Sequence, residues 1–388
     1  MIPIFVFLVL CSVSLAISLW QFTVAWRFPL HRPIESSSKR PGVSVLKPLK
    51  GCDLHTRSNL ESWFVLQYSG PVQLLFGVRD PEDPACAIVR ELMDTYPNVS
   101  ARLVICSEVL GPNAKVSTLA LLEPWIEQEI LVVSDADVRV PGDFLVHLMT
   151  THLVSGVALT NVFYRLANPT SLAMHWEAVS TNADFWSQVL QSRTLKPQDF
   201  ALGAAIAIHR RSLQQIGGFR SLVDYLADDY HLGNRVVQTN GRIEICPVVV
   251  DCWEMDVGWV GVWAHQLRWA RTIRVCQPWL YFASILSNLT LWACALALSL
   301  VVAPGPAAGR LRAVGGAFVG ISLAWRALAA NSLRRQMEQV SPPMRLFWMP
   351  WLKDLMGFWI WLAAFLGNSV KWRGIRYRVR SDGKLVMI

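Results

Sequence analysis

The sequence predicts an α/β domain with an open, mostly parallel sheet, held in a membrane by flanking apolar helices. Three observations carry that prediction. Apolar residues make up 53% of the 388 residues and charged ones only 16%, against about 25% charged in soluble domains. Uncharged runs long enough to cross a bilayer lie toward both ends. Between them, short apolar runs alternate with amphipathic stretches, the pattern of strands and helices in an α/β fold. This balance argues against a freely soluble enzyme and against a disordered chain, which needs low hydropathy and high charge. The 36 basic and 28 acidic residues give +8, and there are 18 tryptophans. Such a chain suits an anionic membrane surface, an anionic substrate or a nucleic acid, and composition leaves all three open.

Residues 3–24 carry no charge and exceed the ~20 residues that a bilayer core requires. Arg27, His31, Arg32, Lys39 and Arg40 follow at once. A secretory signal places its positive charge ahead of the apolar run. Residues 1–26 therefore read as an uncleaved anchor, with the following domain in the cytoplasm. Toward the other end, Trp279–Ala303 and Ala313–Ala330 read as two spans, the second interrupted only by Arg326. A third apolar run, Leu346–Gly367, contains Lys353 and Asp354. As a full crossing it would carry the basic tail KWRGIRYRVR outside, against the positive-inside rule, so it reads as an interfacial or re-entrant helix. The expected order is an anchor (1–26), a cytoplasmic domain (42–274), a membrane region (275–370) and a basic cytoplasmic tail (371–388).

Within 42–274, VSVLKPL (43–49), VQLLFGVRD (72–80), ARLVICS (101–107), EILVVSDADV (129–138) and GVALTNVF (156–163) read as strands. Ala85–Tyr96 and Val116–Trp125 read as helices between them. In such a sheet, ligands bind at the carboxyl ends of the strands. None of the eight cysteines forms a CxxC pair, which favours reduced thiols in a cytosol-facing protein over a zinc site.

Acidic residues cluster where those strands end. Asp80 follows LLFGVR, with Glu82 and Asp83 behind it. Asp135 and Asp137 close EILVVS. Residues two apart in an extended chain point to one side, so both carboxylates can reach one divalent cation, Mg2+ or Mn2+, and the diphosphate it carries; a polar turn ending a buried strand is the alternative. Asp228 and Asp229 precede Tyr230–Gln238. There they either favour a helix N-terminus or supply a general base. Arg268 and Trp269 come just before the membrane region, as a diphosphate-binding cation with a stacking ring or as a solvated pair at the interface.

Taken in order, VSVLKPLKG (43–51), VRDPEDPA (78–85), YPNVSARL (96–103), GPNAKVSTL (111–119), VVSDADVRVP (132–141), RRSLQQIGGF (210–219), LADDYHLGNRV (226–236), HQLRW (265–269) and WRGIRYRVR (372–380) resemble the ceramide glucosyltransferase family. These are inverting, nucleotide-sugar-dependent membrane enzymes of GT-A fold, and they include bacterial hopanoid-associated transferases. The resemblance implies that Asp80 and Asp83 hold the uracil end of a UDP-sugar and that Lys115 approaches its nucleotide or diphosphate. It makes Asp135 the metal-region aspartate, with Asp137 an acid that some relatives lack. Asp229 matches the base that deprotonates the acceptor, while Arg268 and Trp269 match the end of the (Gln/Arg)-x-x-Arg-Trp motif. His265 stands where that motif has Gln or Arg, and Glu82 replaces an Asp of the first acidic motif.

The implied reaction moves a hexose or N-acetylhexosamine from a UDP-sugar to a lipid alcohol, with inversion. The acceptor is a hopanoid polyol or a ceramide. Its head group would be guided by His265, Trp269 and the Trp-rich stretch from Trp253 to Trp279. The Ala- and Leu-rich composition with compact loops points to a bacterial inner membrane. A catalytically inactive scaffold or lipid-binding protein of the same fold would have lost Asp135 or Asp229, and both are present. No nucleic-acid partner is expected, because much of the basic charge flanks apolar segments.

Overall fold

The long uncharged runs become helices and the alternating middle becomes a sheet. The computed structural model describes residues 2–32, 39–303, 308–372 and 374–388; Arg373 of the basic stretch lies outside them. The helices are α1 (Ile2–Arg27), α2 (Thr56–Phe64), α3 (Ala85–Thr95), α4 (Ala114–Leu122), α5 (Phe144–His152), α6 (Leu172–Val179), α7 (Trp186–Arg193), α8 (Arg210–Gln215), α9 (Asp228–Gln238), α10 (Trp259–Cys276), α11 (Pro278–Ala283), α12 (Leu289–Val302), α13 (Ala308–Glu338) and α14 (Met349–Phe365). The strands are β1 (Val43–Leu49), β2 (Val72–Val78), β3 (Ser100–Ile105), β4 (Ile130–Ser134), β5 (Val138–Arg139), β6 (Val157–Leu166), β7 (Ala205–His209), β8 (Arg242–Cys252), β9 (Ser369–Trp372), β10 (Ile375–Val379) and β11 (Leu385–Met387).

The chain packs as two compact units. One comprises Pro29–Asn168, Lys196–Met255 and Ile375–Ile388, the other Met1–Phe28, Pro169–Leu195 and Asp256–Gly374. The grouping is not a linear cut. Residues 169–195 and 256–274, from within the expected 42–274 domain, pack with the apolar helices. Residues 375–388 of the basic stretch return to the sheet unit.

The main sheet of the sheet unit has eight strands in the order β3-β2-β1-β4-β7-β6-β8-β5. β1 pairs in parallel with both β2 and β4, while β7 and β5 run antiparallel to their neighbours. Between β1 and β4 the direction of strand succession reverses, which opens a crevice at the strand carboxyl ends. β1 and β4 are buried along their whole length, as expected of parallel strands covered on both faces. Val43, Val45, Leu74 and Phe76 share one core cluster with α2 and α3 residues such as Trp63 and Val89. Leu46, Leu75, Leu131 and Val133 face the other way, against Val116 and Leu119 of α4. Each such fully buried side chain contributes about 1.5–3 kcal/mol.

Residues 375–388 form a hairpin, β10 pairing antiparallel with β11. Alternation decides its faces: Tyr377 and Val379 are buried, whereas Arg376, Arg378 and Arg380 are exposed. The Tyr377 hydroxyl donates to the Pro112 carbonyl at 3.3 Å and the Leu385 amide to the Asp224 carbonyl at 2.7 Å. Residues 375–388 of the basic tail are thus a folded part of the sheet unit.

In the other unit, α1 and Gly309–Glu338 of α13 are long and apolar enough to cross a membrane. Pro278–Ser287 and Leu289–Val302 make a broken pair bent by 53°. The charges that interrupt the apolar runs find each other. Arg326 of α13 donates to Asp354 of α14 through Nε and Nη2, at 2.8 Å each, and to Asp184 at 2.9 Å. Lys353 pairs with Asp184 at 2.5 Å, and the Thr290 hydroxyl of α12 donates to Asp354 at 2.6 Å. Asp184 lies in a wide π-type turn, Ser180–Phe185, between α6 and α7. Two cations and two anions neutralise one another there and bind these elements together.

Removing one member of such a group leaves an uncompensated buried charge. Arg326→Met is therefore expected to destabilise this unit by roughly 3–5 kcal/mol, read as a lower unfolding midpoint in detergent. A variant as stable as the parent would contradict the account.

Candidate active site

The site begins at the turn after β4. β4 stops at Ser134, whose partner on β7 is Ala205, the first residue of that strand. One more backbone bond, from the Asp135 amide to the Ala204 carbonyl at 3.2 Å, closes the ladder; the chain then folds back, and the Val138 amide reaches the Asp135 carbonyl at 3.4 Å. Asp135 and Asp137 consequently sit in a turn between β4 and β5, not in an extended segment. They still feel each other: burial and then Asp135 push the Asp137 carboxyl up to about 7.

Lys115 is the cation of this region. Asn113 caps α4, its side-chain oxygen accepting from the Val116 amide at 3.1 Å. Its amide nitrogen donates to the Tyr225 carbonyl at 2.8 Å and to Asp228 at 3.4 Å. This capped helix start sets Lys115 2.6 Å from Asp135 and 3.6 Å from Asp228. Burial opposes the charge of Lys115, but Asp135 and Asp228 hold its ammonium well above the usual lysine range.

Asp228 and Asp229 form the first turn of α9, where the helix dipole favours them. One Asp229 oxygen accepts from the Tyr230 amide at 2.8 Å. The other lies beside Gly203, close enough that a Cβ there would stand 3.0 Å from it. Burial and the neighbouring Asp228 raise the Asp229 carboxyl to about 6, and Lys115 opposes the rise. Asp135, Asp228 and Asp229 thus share one lysine at the strand carboxyl ends. Such a set can hold a cation, bind a phosphate through it, or take a proton near neutral pH.

The first acidic motif divides. Asp80 is exposed and one of its oxygens accepts the Glu82 amide at 3.0 Å. Both oxygens of Asp83 accept from the Gly51 amide, at 3.0 and 2.9 Å, and one also from the Ala85 amide at 2.9 Å. Gly51 has φ +69°, a left-handed turn that suits glycine. Asp83 ties the end of β1 to the start of α3, while Asp80 is left facing solvent.

His265, Arg268 and Trp269 lie on α10, in the unit of the apolar helices. His265 Nδ1 is 2.8 Å from the buried Glu177, which also accepts from Gln266 Nε2 at 2.9 Å. The His265 and Trp269 rings meet edge-on with centroids 4.6 Å apart. One turn of helix thus joins these two residues, and a carboxylate on α6 fixes the histidine.

Two residues carry more of the site than their motifs suggested. Asp228, read from the sequence as a helix-terminal acid or a general base, is the second partner of Lys115. Lys47 is the one charged residue in a fully buried strand, and that exception to the pattern is its signal. It is 1% exposed, and burial lowers its ammonium to about 7, against the pull of Asp137 and Asp135.

Without Lys115, the Asp229 carboxyl would lose the cation that opposes its rise and would favour its protonated form more strongly in the folded state. The folded protein would then lose stability as pH rises through the raised pKa of Asp229, and recover as pH falls. Lys115→Met is expected to lower the unfolding midpoint more at about pH 8 than at about pH 5. An equal loss at both would contradict the shared-cation reading.

Comparison with known proteins agrees with this architecture. The sequence profile of glycosyl transferase family 21 matches residues 6–385. Ceramide glucosyltransferase 1 of Caenorhabditis elegans is 23% identical over 376 residues, covering 92% of this chain and 76% of the relative. Ceramide glucosyltransferase 3 of the same animal is 26% identical over 213 residues, 54% of this chain and 46% of its own length. Among solved structures, a mannosyltransferase from Pyrobaculum calidifontis in complex with GDP-Man and Mn2+ superposes with a TM-score of 0.55 at 19% identity, over 92% of this chain and 99% of that one; a likeness at that identity speaks for the fold. The sheet is of the GT-A type, and the chain belongs to glycosyl transferase family 21, enzymes that transfer sugars.

Proposed function

We propose that this protein transfers a hexose or N-acetylhexosamine from a UDP-sugar to a membrane lipid alcohol, inverting the anomeric centre. The observation that carries the reading is the group of Asp135, Asp228 and Asp229 around Lys115 at the carboxyl ends of a GT-A sheet. The names of the two nematode relatives support a ceramide-like acceptor, and the long apolar helices suit an acceptor that resides in a bilayer. A hopanoid polyol remains the second acceptor of the same chemical kind. The sheet unit is taken to face the cytoplasm, anchored by residues 1–26 and by the membrane region 275–370.

Asp135 and Asp137 are the residues that would hold Mg2+ or Mn2+. They fit a hard cation: both offer carboxylate oxygens from one turn, and a positive ion nearby would offset the burial that raises Asp137. When bound, such an ion supplies electrostatic stabilisation to the departing diphosphate. Lys115 orients Asp135 and adds positive charge on the same side. Asp80 lies beyond β2, where the base of the nucleotide is placed by the family pattern, and Asp83 shapes that edge by holding Gly51. Arg268 and Trp269 are assigned to the leaving diphosphate and the acceptor, with His265 held by Glu177 to set the orientation of Trp269.

Asp229 is the general base. Its carboxylate removes the acceptor hydroxyl proton as that oxygen attacks the anomeric carbon. The sugar–diphosphate bond breaks on the opposite side in a single displacement, so no covalent intermediate forms. A base with a pKa near 6 is ionised at neutral pH yet still accepts a proton effectively.

The test offers UDP-glucose and UDP-N-acetylglucosamine to the purified protein with Mn2+ or Mg2+, each against ceramide and a hopanoid polyol. Transfer to one acceptor, reduced by about 10²–10⁴-fold in Asp229→Asn, is the expected outcome. A folded protein that neither transfers sugar nor binds nucleotide would overturn the reading. The free enzyme's kcat/KM should also fall as pH drops below about 6, where Asp229 takes up its proton. A flat profile through that range would remove Asp229 as the base.

A further inference from the structure

The buried Lys47 has no part in the mechanism so far, and its surroundings suggest one. A leucine or methionine would fill the same place on β1 without the cost of burying an ammonium. What the ammonium adds is a set of bonds to the acidic turn. Lys47 Nζ donates to the Asp135 carbonyl at 2.6 Å and to the Ser134 hydroxyl at 3.2 Å. It lies 4.5 Å from the centre of the Trp63 ring, a cation–π distance. Trp63, 1% exposed on α2, donates its indole N–H to the Val138 carbonyl at 3.2 Å.

The two side chains therefore grip both ends of the Asp135–Asp137 turn and touch each other beneath it. The remaining backbone contacts complete the hold. The Asp135 amide donates to the Ala204 carbonyl at 3.2 Å, and the Trp253 amide to the Asp137 carbonyl at 3.0 Å. Lys47 bonds to the backbone oxygen of Asp135, not to its carboxylate, so the turn is fixed without using a cation-binding oxygen. Lys115 holds that carboxylate from another side.

We propose that Lys47 and Trp63 are a positioning pair that sets the Asp135–Asp137 turn in the geometry that binds the divalent cation of the donor. The inference rests on the reading of those two aspartates as cation ligands. Groups that orient ligands from behind are worth about 10–100-fold in metal affinity. Removing Lys47 also takes from the Asp135 carbonyl its shortest donor, leaving it the Ser134 hydroxyl at 3.3 Å and the Val138 amide at 3.4 Å, which loosens the hold on the turn.

The experiment uses the full chain in detergent and measures Mn2+ binding by the loss of the free-ion electron paramagnetic resonance signal, with and without UDP. Lys47→Met is expected to weaken Mn2+ binding about 10–100-fold, with kcat at saturating Mn2+ much less affected than the Mn2+ concentration for half-maximal rate. Trp63→Phe keeps an aromatic ring at this place but loses the indole N–H and the second ring, so it should shift the affinity in the same direction by less. A folded Lys47→Met protein that binds Mn2+ like the parent would overturn the proposal. Should that variant fail to fold, unchanged Mn2+ affinity in Trp63→Phe would do the same. A parent protein that binds no Mn2+ under either condition would instead overturn the assignment of Asp135 and Asp137, and the proposal with it.

Discussion

Three carboxylates that share one lysine at the end of a parallel sheet set the terms for the rest of the sheet unit. Asp135, Asp228 and Asp229 repel one another in a half-buried place, and Lys115 is the group that makes their proximity tolerable. Three backbone devices position these four residues. The end of the β4–β7 ladder turns Asp135 out of the strand. The Asn113 cap starts the helix that bears Lys115, and the first turn of α9 supplies Asp228 and Asp229. The reversal of strand succession between β1 and β4 brings these devices to one crevice. Charge that is costly to bury is also charge with shifted proton affinity, so the strain of the arrangement is what makes it chemically useful.

The unit of apolar helices solves a related problem with the opposite outcome. Arg326, Asp184, Lys353 and Asp354 are all well buried, but two cations and two anions meet at hydrogen-bond distance and cancel. The result is a neutral joint among α12, α13, α14 and the π-type turn. In the sheet unit the acids outnumber Lys115, leaving a local excess of negative charge for a cation to meet. The same residue types thus serve cohesion in one unit and chemistry in the other, and the balance of charge is what separates them.

Much of the fold was legible because burial on both faces of a parallel sheet leaves continuous apolar runs. β1 fell at the expected bounds, and β2, β3 and the α3 helix within two residues of them. The turn at Asp135–Asp137 was not, because strand length there is fixed by where the partner β7 begins, a non-local fact. The hairpin at 375–388 was hidden for a related reason. Its arginines alternate with Tyr377 and Val379, yet the stretch read only as a basic cytoplasmic tail. Within the site, the acids stood out by their position after apolar runs, and the ordered motifs assigned them. The pairing of Lys115 with Asp228 joins residues far apart in sequence, and Lys47 was absorbed into a strand pattern that it interrupts. The opposed charges at Arg326, Lys353 and Asp354 looked like flaws in apolar runs, since only the packed structure brings Asp184 to them.

The central claim is that the cluster around Lys115 is where the sugar donor is held and the acceptor activated. Its most direct test is an experimental structure of the protein with Mn2+ and a UDP-sugar. The account predicts a cation bound through Asp135 and the donor diphosphate, with the Asp229 carboxylate facing the anomeric carbon from the side opposite the leaving group. A nucleotide seated away from Asp135, or an Asp229 carboxylate turned away from the sugar, would contradict it.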